Sequence, residues 1–97
     1  MLHTINQSPF RNTTLETAMR FIQANDPVLF LEDGVYAVSE NGRFKDLVQK
    51  LMQTNPVYVL GPDLKARGVG SVIKDVKEVD YDGFVELVEQ HQVNTWL

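Results

Sequence analysis

The sequence predicts an α/β fold in three layers: a mainly parallel sheet of four to five strands with helices on both faces. Two observations carry that prediction. Val28-Leu29-Phe30-Leu31 is a run of four apolar residues without polar alternation, the pattern of a strand buried on both faces. Stretches with helical spacing then alternate with short apolar, β-branched runs along the whole chain, as strand–helix–strand units require.

Taken in order, Leu2 to Asn6 reads as a first short strand, stopped at Gln7-Ser8-Pro9 because proline cannot donate to a ladder. Asn12, Thr13 or Thr14 can cap a helix, Thr13 with Glu16 has the spacing of a capping box, and Leu15, Ala18, Met19 and Ile22 fall at i, i+3, i+4 and i+7, so a helix with one apolar face follows. Asn25-Asp26-Pro27 ends it. The buried run from Val28 is then the central strand, and Glu32-Asp33-Gly34 forms a turn at its carboxyl end. Val35 to Val38 is expected to be a helical turn, and Ser39 to Gly42 a tight turn.

Phe44, Leu47, Val48 and Leu51 repeat the helical period, so a second crossover helix runs up to Asn55-Pro56. Val57 to Leu60 supplies the next strand, and Gly61-Pro62 breaks it. Asp63 to Arg67 gives about one helical turn, with Gly68 placed to take a left-handed conformation after it. A short strand is expected within Val76 to Val79. Tyr81 to Gln92 forms the last helix, capped by Asp80 or Asp82, with Phe84, Leu87, Val88 and His91 sharing a face. Val93 to Leu97 closes the sheet as an edge strand carrying Trp96.

Ninety-seven residues suit one domain, because a chain of this length buries only about 60–65% of its unfolded surface and has no room for a second core. Nine basic against 13 acidic residues give a net charge of −4, which disfavours direct binding to nucleic acid or to an anionic membrane. There is no cysteine, so disulfides, thiolate metal sites, cysteine nucleophiles and persulfides on this chain are all excluded. The first residues lack a charged segment followed by an apolar core, and no apolar run reaches membrane-spanning length. The expected location is cytoplasmic.

Candidate chemistry is sparse. His3 and His91 have no partner at metal-ligand spacing, and both read as structural residues. Glu32 and Asp33 sit where ligands meet open α/β sheets, which is a good address for acid–base work, although Asp-Gly is also common turn chemistry. Gly68-Val69-Gly70 lacks the third glycine of a dinucleotide fingerprint, with Ile73 in its place. The acidic series from Asp75 to Glu89 has the wrong spacing for a calcium loop and reads as a solvated face. Phe10, Tyr36 and Trp96 suit either core packing or a partner surface. No catalytic residue, metal ligand or cofactor site is expected.

Five blocks in register carry a resemblance: Leu2-His3-Thr4 through Ser8-Pro9-Phe10; Leu31-Glu32-Asp33-Gly34-Val35-Tyr36-Ala37; Tyr58-Val59-Leu60-Gly61-Pro62-Asp63-Leu64-Lys65-Ala66-Arg67-Gly68; Val79-Asp80-Tyr81-Asp82-Gly83-Phe84-Val85; and terminal Trp96-Leu97. Together they resemble the DsrH or TusB family of sulfur-relay subunits over nearly the whole chain. The resemblance implies a DsrE-like fold of the flavodoxin/Rossmann type. It also implies two sister subunits of that fold in a dimer of heterotrimers, whose thiouridylation branch passes persulfide sulfur toward 2-thiolation of the tRNA wobble uridine. A related branch serves dissimilatory sulfur oxidation.

Some members carry a cysteine early in the first helix where this chain has Ala18, so the resemblance implies a non-catalytic subunit. Phe10, Glu32, Asp33, Gly34, Tyr36 and Trp96 are the expected contact surface, and the chain alone is expected to self-associate or to expose an apolar patch. A competing reading is a small enzyme or ligand-binding domain in which His3, Glu32 and Asp33 converge at the carboxyl edge of the sheet.

Overall fold

The computed structural model describes residues 1–97 and shows a five-stranded, wholly parallel sheet in the order β4-β3-β2-β1-β5. The strands are β1 (Leu2–Ile5), β2 (Val28–Phe30), β3 (Val57–Leu60), β4 (Lys77–Val79) and β5 (Val93–Trp96). The helices are α1 (Thr14–Met19), α2 (Lys45–Met52), α3 (Gly61–Ala66) and α4 (Tyr81–Gln90), with a 3₁₀ helix over Glu32–Val38. The expected architecture is the observed one, with β2 central and β5 at an edge.

Residue alternation along the strands divides the interior. Ile5, Val28, Phe30, Val57 and Val59 face α1, α2 and α3 and pack with Leu15, Ala18, Val48, Leu51 and Leu64 in a cluster of 14 buried residues. Leu2 and Leu29 point the other way, toward Leu87 of α4, in a cluster of only three. The sheet is thus deeply covered on one face and thinly on the other. A parallel sheet needs both faces covered, and a single ten-residue helix serves the second.

Several local expectations need correction. Thr13 makes no side-chain cap, so the capping box with Glu16 is not formed; of the three candidates it is Asn12 whose side chain accepts from the Thr14 N–H, at 3.0 Å, and α1 is only six residues long. Gly61-Pro62 does not simply break the strand but opens α3, where a proline in the first turn gives up no needed hydrogen bond. Glu32-Asp33-Gly34 is the start of the 3₁₀ helix rather than a free turn, and the positive φ of 50° falls on Glu32, not on the glycine. Gly68 does take the left-handed conformation, at φ 67°. Asp80 caps α4 by accepting from the Gly83 N–H at 2.8 Å. His91 lies just beyond the helix and donates from Nδ1 to the Leu87 carbonyl at 2.9 Å, satisfying one of the carbonyls that a helix end leaves unpaired.

One buried polar side chain ties the entrance of β2 to that of β3. Asn55 donates to the carbonyls of Gln23 at 2.7 Å and Asp26 at 2.9 Å, and accepts from the Thr54 hydroxyl at 2.6 Å. Asn55→Ala strands those carbonyls, so a loss of about 1–3 kcal/mol is expected in urea unfolding. Thr54→Ala, which removes the hydroxyl donor to Asn55 and its long 3.5 Å bond to the Leu51 carbonyl but leaves both carbonyls that Asn55 serves satisfied, is expected to cost less.

Candidate functional site

The carboxyl ends of the parallel strands lie on one side of the molecule, and three segments leaving them build a cleft there. The loop after β1 contributes Phe10, the 3₁₀ helix after β2 contributes Tyr36, and the segment after α3 contributes Arg67, Gly68 and Ser71. The cleft has a volume of about 450 Å³. Phe10 is 55% exposed and rests edge-on against Phe44, with ring centroids 5.1 Å apart, while Tyr36 is half-buried. An open cleft with an exposed aromatic at its rim has the anatomy of a contact surface.

Arg67 is fixed at the cleft wall by two carboxylates. Its Nε donates to Asp33 at 2.7 Å, and its Nη1 lies 3.7 Å from Asp63. Asp63 also accepts the Glu32 main-chain N–H at 2.6 Å, which compensates the left-handed backbone at Glu32. The hydrogen bond from Arg67 to Asp33 raises the guanidinium pKa further above its ordinary value. Both partners retain contact with water, so the ion pair contributes about 0–1 kcal/mol and serves mainly to hold the 3₁₀ helix against α3.

The structure brings Phe10 and Tyr36 together in the cleft and places Asp33 in its wall network. Glu32 is exposed beside them. Gly34 is a correction: it is buried against the Ile5 main chain and offers no surface. Trp96 sits at the carboxyl end of the edge strand but turns inward. Its indole donates to His3 Nδ1 at 3.1 Å, and its ring packs against His3 and Phe21.

His3 does not converge with Glu32 and Asp33. It is 3% exposed, pairs in register with Val28 at the start of β2, and bonds Asp26 through Nε2 at 3.0 Å. Glu32 and Asp33 lie beyond the opposite end of that strand. The arrangement read from the sequence as a second possibility, an acid–base trio at the carboxyl edge, is therefore not formed.

Arg67 and Asp63 were not among the residues expected at the site. Their i, i+4 spacing on α3 is a legible helix pair, but the bond from Arg67 to Asp33 spans 34 residues and has no local signal. A larger hollow of about 830 Å³ lies between α3 and the start of α4, lined by Lys65, Glu78 and Asp80 among others. Asp80 already occupies the Gly83 N–H there.

Ala18 is fully buried in the large core cluster. No His, Asp or Glu residues gather in a group of three or more that could hold a metal ion, and no helix is long and apolar enough to cross a membrane.

Comparison with known proteins places this architecture. The family described as "DsrH like protein" matches residues 7–94. The chain is similar to Protein TusB of Pectobacterium parmentieri, with 37% identity over 93 residues and 94% of each chain covered. It is similar to Protein TusB of Klebsiella pneumoniae (strain 342), with 38% identity over 92 residues and again 94% of each. Among solved structures, the protein of unknown function MTH1491 from Methanobacterium thermoautotrophicum aligns with TM-score 0.69 at 15% identity, covering 97% of this chain and 95% of its own. Protein Tm0979 from Thermotoga maritima aligns with TM-score 0.64 at 20% identity, covering 95% of each chain. The two structures share the fold; the sequence matches, running nearly end to end, settle the kinship: the chain belongs to the DsrH family, together with the TusB proteins.

Proposed function

We propose that this chain is a non-catalytic subunit of a cytoplasmic sulfur-relay hetero-oligomer, one that supports persulfide transfer by its sister subunits toward 2-thiolation of the tRNA wobble uridine. The observation that carries this reading is a family match over residues 7–94 in a chain without cysteine. A persulfide forms on a thiolate sulfur, and the chain's only sulfur is in methionine thioethers, which cannot carry one. The alanine at position 18 lies sealed in the core, so even a thiol introduced there would have no route to an acceptor. Relatives bearing the TusB name favour the thiolation branch over the sulfur-oxidising one.

The partners on this reading are two sister subunits of the same fold in a dimer of heterotrimers. The contact surface is the cleft edge of Phe10 and Tyr36 with Glu32 and Asp33 beside it, Trp96 bracing the neighbouring edge and Gly34 shaping it from below. Left without partners, the chain self-associates or leaves an apolar patch bare to water.

Co-expression with the two sister subunits tests the reading, with particle mass, transfer of radiolabelled sulfur and 2-thiouridine content measured with and without this chain. A stable hetero-oligomer is expected, thiolation is expected to fall by about tenfold or more when the chain is omitted, and no label is expected on the chain itself. A chain that stays alone, with sulfur transfer indifferent to its presence, would overturn the proposal.

A further inference from the structure

α4 is apolar on two sides. Phe84 and Leu87 turn inward onto Leu2, Leu29 and Tyr58, as the single covering helix of that sheet face must. Tyr81, Val85 and Val88, at i, i+4 and i+7, point outward and are 59%, 50% and 38% exposed. A surface helix needs one apolar stripe; a second, left in water, marks a place where another surface sits.

The charge around that stripe is one-sided. Lys77 is the last cation of the chain. Residues 78–97 hold five carboxylates and no lysine or arginine, leaving eight of the 13 acidic residues against all nine basic ones in the rest of the molecule. Three of the five, Asp82, Glu86 and Glu89, are exposed on α4 itself. A second copy docked α4 on α4 would set these carboxylates against their own equivalents with no cation supplied by either helix, so a symmetric α4-on-α4 contact is disfavoured. It complements an apolar groove rimmed by lysine and arginine, which steers the encounter and fixes its register.

We propose that the outer face of α4 docks on a basic-rimmed apolar groove of one sister subunit, with the Tyr81 ring as its central anchor. Aromatic side chains with a polar tip are favoured as such anchors because they bury a large area at small entropic loss. The identity of the partner rests on the sulfur-relay reading above. The surface does not: it lies on the helix covering the thin side of the sheet, apart from the Phe10–Tyr36 cleft.

The test is affinity for the co-purified sister subunits, measured for the wild-type chain, for Val85→Asp/Val88→Asp and for Glu86→Lys/Glu89→Lys, with circular dichroism and unfolding midpoints recorded for each. All four sites are exposed, so native-like spectra are expected. The valine variant is expected to bind about tenfold more weakly or worse. The lysine variant is expected to associate more slowly and to lose most of the salt dependence of the wild-type rate. If the valine variant fails to fold, the lysine variant decides alone. Wild-type affinity in the folded variants overturns the role of α4 and leaves the relay reading intact. A wild-type chain that binds neither sister subunit overturns both.

Discussion

Gly34→Ala is expected to destabilise the protein by about 3 kcal/mol or more, a drop of roughly 12 °C or more in the unfolding midpoint for a domain of this size. The reason is the approach of the 3₁₀ helix to the end of β1. A Cβ at position 34 would run into the Ile5 carbonyl oxygen and crowd its carbon at 3.0 Å. That oxygen accepts the Leu31 N–H at 3.1 Å, a bond that continues the β1–β2 pairing from the last residue of β1 to the residue just past β2. Both neighbours are main chain inside a parallel sheet, so neither yields as a flexible side chain would. Relief requires pushing the 3₁₀ helix outward, and with it Val35 and Val38, which are fully buried in the large core. Urea unfolding checks this: the midpoint should fall with little change in slope. A variant within about 0.5 kcal/mol of wild type, the range of ordinary surface substitutions, would show that the helix does not sit this close.

His3→Leu is expected to cost about 2–4 kcal/mol, despite keeping a comparable volume in the same place. The Trp96 indole N–H can only donate, so His3 Nδ1 accepts and Nε2 carries the proton that goes to Asp26. One ring thereby joins β1, the turn before β2 and the edge strand β5. Leucine leaves the indole N–H and the Asp26 carboxylate without their partner, so β5 should loosen first. Quenching of Trp96 fluorescence by added iodide should rise in the variant before global unfolding begins.

Acid adds a second reading of the same network. The hydrogen bond from His3 holds the Asp26 carboxyl below the ordinary aspartate range; burial opposes this, and the Gln23 N–H and the amino terminus assist. A group whose folded pKa is depressed contributes stability that is present above its unfolded value of about 4 and is lost as the pH falls through the lower, folded value. Wild-type stability should therefore decline below about pH 4 more steeply than that of Asp26→Asn, which has no such group to titrate. Equal acid limbs in the two proteins would show that Asp26 is not held by this network.

What was legible in the sequence has its cause within a few residues. Val28 to Phe30 announces the central strand because a strand covered on both faces has no polar alternation to show. Lys45–Met52 and Tyr81–Gln90 follow from helical spacing and, for the latter, from the Asp80 cap; Gly68 follows from the need for a left-handed residue after α3. Blocks of residues in register were enough to suggest the family.

The tertiary structure decided what depends on segments far apart in the chain. Glu32 rather than Gly34 takes the positive φ, because Asp63, 31 residues away, receives its N–H, while Gly34 is reserved for contact with Ile5. Arg67 meets Asp33 and Trp96 meets His3 across 34 and 93 residues, and only the strand order makes those pairs neighbours. The same order sends α4 alone across the thinly covered face. Its Val88, grouped by sequence spacing with Phe84 and Leu87, points instead to solvent, because one helix lying on a sheet can bury only the narrow stripe that touches it.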